Sequence, residues 1–493
     1  MWIFGFMRFV LFPVYEESSM PRPCLLLRKR FLSLQPTVSK KRSGSSQGGM
    51  KRAHEKEKVI MGKCLIVFTR KYPFSYGEPS FQDEVPYHIP YYEKIIVLAQ
   101  DVSKGEAATR TPPNKVEFYN TATTSRRMGR IKDKVKCLRW ALKPTAAMKS
   151  DSTRLKGKPI RRVFLWTFEA RCQRLISEAI SVLERYDFSS YDEVVLYSYW
   201  LFANVRVAIG ISEYLQQKGI INIRIVSRAH RYDLYEERNR LNYLPMREYI
   251  LDKVDNVYAC SCNGADYLRH RHPAFREKIE VGYIGTLDCG ISQQQKTNVF
   301  HIVSCCRIVP MKRLERLADA LCLLDFHCKW TVIGGGIEGN QYYQQVNEYI
   351  RSKLDSKENV TVEFTGALPH NAIFDYYRGN YVDVLINPSE SEGLPAVIME
   401  ATSFGIPVIA TDVGGTTEIV VDGVNGFVIP ENFTDEALSD AIKRMKELSS
   451  ETYAEFRRNA RNIWQKNFDA SVNNARFAEE LFSRKKIRKV SNE

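Results

Sequence analysis

The 493-residue chain reads as an α/β protein made of two units, each a parallel sheet flanked by helices. Three observations carry this reading. From Lys63 onward, short runs rich in β-branched residues alternate with longer amphipathic segments, which is the pattern of βαβ units. The series breaks once, at a polar stretch with no apolar period, and then resumes. Composition is that of a folded globular protein, with 44% apolar and 26% charged residues, which excludes wholesale disorder, a collagen-like repeat and a multi-span membrane protein.

Taken in order, residues 1–15 (MWIFGFMRFVLFPVY) are apolar, but Arg8 interrupts them and they fall short of the roughly 20 residues a spanning helix needs. The basic, Gly/Ser-rich stretch that follows cannot bury a core, so residues 1–60 are expected to be a disordered, dispensable tail, with the folded protein opening near Met61. Residues 61–290 form the first unit, with strands expected at 65–68, 94–99, 194–198, 223–227, 256–261 and 279–283. The apolar stretch 194–211 resembles a membrane span, yet it contains Arg206 and divides into the strand VVLYS and a helix. The polar run 287–298 (LDCGISQQQKTN) separates the units, with residues 291–298 as the linker proper. The second unit, 299–465, has expected strands at 299–304, 330–333, 361–364, 382–387, 407–410 and 426–429, and residues 466–493 are expected to be a helix packing back on the first unit. Ligands of parallel sheets sit at the carboxyl ends of the strands, so two such units facing each other make a cleft.

The formal charge of +15 is the one global outlier. Residues 1–60 hold 12 Lys/Arg against 4 Asp/Glu, and residues 101–162 hold 17 against 5, leaving the rest mildly acidic. A local excess of this kind does not make the continuous basic stripe of a nucleic-acid-binding protein. Segment 101–162 is either a solvated loop and helix face or a surface that meets anionic lipid. The eleven cysteines follow no framework and include no C-x-x-C pair, the usage of a reducing compartment. His270, His272 and Cys262 lack the paired spacing of a zinc site.

Chemistry concentrates in residues 383–429, DVLINPSESEGLPAVIMEATSFGIPVIATDVGGTTEIVVDGVNGFVI. The segment reads strand, tight loop (389–394), helix, strand, with Pro395 in the first helical turn, Gly405 ending the helix and Pro407 opening the next strand. A helix N-terminus at a strand end suits a phosphate. Glu392 and Glu400 bracket this helix start. Carboxylates there would repel a phosphate unless they faced uncharged hydroxyls, such as those of a sugar and a ribose.

Glu392 and Glu400, separated by seven residues within SESEGLPAVIMEATSFGIPVIATDVGG, closely resemble the donor-binding signature of the group 1, or family 4, retaining glycosyltransferases of GT-B fold. Segment 304–312 (SCCRIVPMK) resembles the strand end whose Arg and Lys grip the donor diphosphate, here Arg307 and Lys312. Gly334-Gly335-Gly336 resembles the family's glycine-rich turn beside the nucleotide, VEFTG (362–366) the strand ending by the base, and GGTTE (414–418) the turn behind the Glu400 helix. In the first unit, FTRKYPFSYGE (68–78), YSYW (197–200) and SRAHRYD (227–233) are similar to members that build bacterial surface polysaccharides of the O-antigen, capsule and colanic acid type. Two departures stand out: only Gly77 occupies a loop that often has two adjacent glycines, and Arg231 follows the His where Gly is usual.

The resemblance implies two Rossmann-like domains, with acceptor-side residues 61–290 facing donor-binding residues 299–465. It implies transfer of a sugar from a UDP- or GDP-type donor to an acceptor hydroxyl, with retention, in polysaccharide or lipid-linked oligosaccharide assembly. Arg307, Lys312, Glu392 and His230 would serve the chemistry, and Gly77, Gly334, Gly335, Gly393, Leu394, Glu400 and Gly414 would bind the donor. No cofactor or metal is implied, since two cations neutralise the diphosphate. The partners implied are a glycan or lipid-linked acceptor and an anionic membrane surface, without nucleic acid, which places the protein in the cytoplasm or on the inner face of its membrane. A sugar-nucleotide epimerase shares this architecture but not the EGLPAVIMEA context; a basic nucleic-acid-binding protein is the remoter alternative.

Overall fold

The computed structural model describes residues 62–74, 77–103, 105–121, 144–292, 294–336 and 341–484. The expected tail 1–60 lies outside the described residues, as does the middle of the basic segment, 122–143.

The first sheet contains β1 (Lys63–Thr69), β2 (Lys94–Ala99), β3 (Val116–Asn120), β4 (Glu193–Ser198), β5 (Ile223–Ala229), β6 (Asn256–Ala259) and β7 (Ile279–Val281), in the order β3-β2-β1-β4-β5-β6-β7. The second contains β8 (Phe300–Cys305), β9 (Cys328–Ile333), β10 (Val360–Gly366), β11 (Val384–Asn387), β12 (Val408–Thr411) and β13 (Gly426–Ile429), in the order β10-β9-β8-β11-β12-β13. All pairings between these strands are parallel. The central strands β4, β5, β8, β11 and β12 are buried along their whole length; β4, β11 and β12 are mainly apolar, whereas β5 and β8 also bury Arg224, Arg228 and His301.

Strand β3 was not among the expected strands. Its sequence, VEFYN, buries only Val116 and pairs with β2 alone, so it has the weak pattern of an edge strand inside a Lys-rich stretch. The helices that matter below are α1 (Pro79–His88), α2 (Pro159–Leu183), α3 (Ala203–Gln217), α4 (Cys262–Arg271), α5 (His370–Gly379), α6 (Ala396–Ser403), α7 (Ser450–Asn467) and α8 (Ala470–Ser483). Pro395 stands one residue ahead of α6, in extended backbone, instead of inside its first turn. The shift keeps the proline where no helical N–H is lost.

The apolar stretch 194–211 is β4 followed by α3, and its Arg206 is buried against Glu169 of α2 at 2.7 and 3.1 Å. Among the described residues no helix is long and apolar enough to cross a membrane. The chain crosses between the halves twice, and the crossings lie side by side. Thr286 bridges to Asp469 in parallel, and the Trp464 indole donates to Thr286 Oγ1 at 2.8 Å. Helix α8 then returns to the N-terminal half. There Phe477 packs edge-on against Tyr258 with centroids 5.1 Å apart, and the Arg228 guanidinium lies 3.8 Å from the Phe477 ring centre.

Each sheet reverses its strand order once, between β1 and β4 and between β8 and β11, and loops leaving such a switch point splay apart to form a crevice. In register, Phe68 pairs with Ser198 and Leu385 with Val303, so the loops after β1 and β4, and those after β8 and β11, open at matching heights.

Candidate active site

The switch point of the second sheet brings two loops together. After β8 the chain passes exposed Arg307 and makes a 3-10 turn, Pro310–Lys312, which ends at Arg313 in left-handed backbone (φ 51°). After β11 the loop 389–394 runs into α6. Lys312 Nζ meets Glu392 Oε1 at 2.5 Å, and Asn387 Nδ2 donates to the same oxygen at 3.2 Å. The Lys312 and Glu392 side chains are 16% and 10% exposed, so each charge depends on the other; removing one partner of such a pair typically costs about 3–5 kcal/mol. The Glu390 N–H donates to the Met311 carbonyl at 2.8 Å and ties the two loops.

Glycines let these loops approach. A Cβ on Gly414 (φ 56°) would run into the Glu392 carbonyl, and the Gly415 N–H donates to the Gly393 carbonyl at 2.6 Å. Leu394 is buried beneath the loop. Gly334 (φ 147°) has no room for a side chain against the Cys306 carbonyl, and the Gly335 carbonyl accepts the Ile308 N–H at 3.0 Å. The glycine turn thus supports the backbone that carries Arg307.

Glu400 belongs to a different group. Buried in α6, it accepts a hydrogen bond from Nε2 of His370, at the start of α5, at 2.8 Å. This bond holds the His370 pKa above its ordinary value. Asp83 of α1, in the other half, contributes to the same field; burial raises its carboxyl and His370 opposes the rise.

In the first unit, Glu78 organises the loop after β1. Its carboxylate accepts the N–H groups of Arg70, Lys71 and Tyr72 at 2.8, 2.9 and 2.8 Å and the Trp200 indole N–H at 2.6 Å. Gly77 packs on the Lys71 side chain. The Trp200 ring lies tilted against His230 with centroids 4.6 Å apart, and His230 Nε2 bonds the Tyr199 carbonyl at 3.0 Å. Burial, aided by the nearby Arg228 charge, lowers the His230 pKa to about 4, so the ring is neutral at neutral pH.

Two side chains span the cleft in opposite directions. Arg231, next to His230, donates from Nε and Nη2 to Ser391 Oγ at 3.1 and 3.0 Å. Glu418 accepts the Cys262 and Asn263 N–H groups at 2.7 and 2.9 Å at the start of α4, and the Tyr283 hydroxyl at 2.8 Å. The structure therefore gathers Lys312, Glu392, Gly393 and Gly414 around one loop pair, with Arg307 on the Lys312 loop, Gly334 on the adjoining loop after β9, and His230 in the other half beside Arg231. It joins Glu400 to His370 instead. Sequence reasoning passed over His370 entirely, and it quoted Glu78 and Glu418 only as parts of motifs; the one signal for their roles was a carboxylate close to a turn.

Residues 291–463 match the family model of the group 1 glycosyl transferases. The chain is 34% identical over 125 residues to "Uncharacterized glycosyltransferase MJ1178" of Methanocaldococcus jannaschii, a match covering 25% of this chain and 32% of that protein. It is 24% identical over 276 residues to "Putative colanic acid biosynthesis glycosyltransferase WcaL" of Escherichia coli K12, covering 54% of this chain and 65% of that one. The matches thus span less than two thirds of either relative. Sucrose-phosphate synthase of Thermosynechococcus elongatus superposes with a TM-score of 0.60 at 14% identity, over 85% of this chain and 98% of that one. Residues 291–463 are thus similar to the group 1 glycosyl transferases, and the chain has the GT-B fold.

Proposed function

We propose that the protein is a glycosyltransferase that moves a sugar from a nucleoside diphosphate to an acceptor hydroxyl, with retention of configuration, in the assembly of a surface polysaccharide or lipid-linked oligosaccharide. The observation that carries this reading is the Lys312–Glu392 pair at the β8/β11 switch point, inside the segment that matches the group 1 family model. Both relatives named above are glycosyltransferases, which supports transfer over epimerisation.

In this reading Arg307 and Lys312 neutralise the diphosphate as it departs, and the charge they supply counts most in the transition state. Glu392, held by Lys312 and Asn387, accepts from a sugar hydroxyl, and Glu400 with His370 faces the ribose. His230, neutral and fixed between Tyr199 and Trp200, orients the sugar without carrying charge to it. Gly77, Gly334, Gly335, Gly393, Leu394 and Gly414 shape the loops around the donor. The two cations make a metal unnecessary for leaving-group departure. We also place the protein at the inner face of the cytoplasmic membrane, with a glycan or lipid-linked acceptor, on the strength of its basic acceptor-side surface.

A thermal-shift panel of UDP, GDP, ADP and their sugars tests the donor class. A nucleoside diphosphate at 100 times its dissociation constant should add about 2.7 kcal/mol of stability, and Lys312→Ala should abolish most of that gain. If no nucleoside diphosphate stabilises the protein, the reading fails.

A further inference from the structure

Position 231, the Arg that follows His230, carries an inference that rests on the transferase reading above. Arg231 leaves the N-terminal half at the carboxyl end of β5 and inserts into the donor half. Nε and Nη2 converge on Ser391 Oγ at 3.1 and 3.0 Å, and Nη2 lies 3.9 Å from Met311 Sδ. Ser391 is buried and precedes Glu392; Met311 precedes Lys312. The stem of the arginine uses space that only a glycine leaves open, since a Cβ on Gly393 would lie 2.7 Å from the Arg231 Cβ. The slot is therefore built from the two loops that hold the Lys312–Glu392 pair, and those loops are already tied to each other through Glu390 and Met311.

We propose that Arg231 is a positioning residue for sugar transfer: it is the catch by which the N-terminal half closes on loops 310–312 and 389–394 and fixes Lys312 and Glu392 in working geometry. Two N–H groups of one planar fork meeting a single hydroxyl is an arrangement that a lysine ammonium does not reproduce. Glu418, gripping the start of α4 from the opposite side, gives closure a second fastening. Loss of Arg231 should thus loosen the two loops without separating the halves. Misplacement of about 1 Å costs an enzyme roughly 100-fold in rate, so the loss should appear in kcat more than in nucleotide affinity.

The experiment uses the full chain and the variants Arg231→Gly, Arg231→Lys and Ser391→Ala, with Lys312→Ala as a control on the transferase reading. Amide hydrogen exchange without ligand should accelerate roughly tenfold over 309–313 and 388–395 in Arg231→Gly and Ser391→Ala, and stay unchanged in β8. With the donor found by the thermal-shift panel, kcat should fall at least about tenfold in both, UDP or GDP affinity should stay within about twofold, and Arg231→Lys should recover only part of the rate. Unchanged exchange in both loops, or wild-type kcat in Arg231→Gly, would overturn the proposal. Ser391→Ala serves as the second route should Arg231→Gly fold poorly. If the wild-type chain binds no nucleoside diphosphate, the transferase reading falls and the exchange measurement alone decides whether the catch exists.

Discussion

Lys312 and His230 face the same cleft and depend on opposite electrostatics. Lys312 enters the loop interior against the Glu392 carboxylate; His230 is held neutral by burial, with the nearby Arg228 cation adding to the effect. Lys312→Ala removes the ammonium and leaves the Glu392 carboxylate facing the Asn387 amide at 3.2 Å. Turnover should fall by about 10²–10³, the range seen when one preorganised donor to a developing anion is lost, as measured by steady-state transfer at saturating donor. For His230 the sign follows from its pKa, lowered from 6.5 to about 4. Between those values the unfolded chain binds more protons than the folded one, so stability is complete above pH 6.5 and declines as pH falls toward 4, with a slope of at most about 1.4 kcal/mol per pH unit. His230→Gln should flatten that part of the stability–pH curve in urea unfolding; an unchanged slope would show that the imidazole is not held neutral. His370 has the opposite sign. Its pKa is raised by Glu400, so the stability it contributes is present below 6.5 and lost as pH rises through its own higher value. His370→Gln should accordingly cost more stability at pH 6 than at pH 9.

At the scale of elements, helix α8 is the clearest case of local sequence serving a distant partner. It follows the donor half in the chain but buries Phe477 and Leu481 against the N-terminal sheet, where Arg224 donates to the Leu481 carbonyl and Tyr258 to Glu480. Phe477→Ala should cost about 3–5 kcal/mol, as large-to-small changes of buried phenylalanines do, and equilibrium unfolding should show the loss in the transition of the N-terminal half. This dependence also marks what could be read in the sequence and what could not. Strands β4, β11 and β12 were legible because a parallel strand covered on both faces is mainly apolar. Strand β3 was not, because an edge strand with one buried residue has almost no period. Lys312 and Glu392 were each legible through their motifs, but their ion pair spans 80 positions and exists only because β8 and β11 are neighbours. The Glu400–His370 bond spans 30 positions and has no local signature at all. Local order is written in periodicity, whereas long-range side-chain pairs are written only in the topology that brings the ends of strands together.

At the scale of the whole molecule, the +15 charge does not belong to the donor site, where the cation at the loop pair is matched by Glu392. Its described share gathers ahead of and along the start of α2, where Lys149, Lys156 and Lys158 are exposed beside exposed Ile160 and the Arg162 guanidinium lies 5.3 Å from the Trp166 ring centre. On the membrane location proposed above, these exposed lysines would meet lipid headgroups and Ile160 the apolar layer just beneath. Each nearby basic residue adds about 1 kcal/mol of attraction there, so a cluster of four or five gives binding that is firm at low ionic strength and weak once the Debye length contracts to about 3 Å near 1 M salt. The full chain should co-sediment with vesicles containing phosphatidylglycerol at low salt, dissociate at high salt, and ignore pure phosphatidylcholine. Charge reversal at Lys156, Lys158 and Arg161 together should release it from the anionic vesicles while leaving UDP or GDP binding intact, because these residues precede α2 or lie in its first turn and none belongs to the loops after β8 and β11. Undiminished sedimentation of that variant would remove this face from the membrane, and a variant lacking residues 1–61 would then show whether the basic tail is the segment that binds.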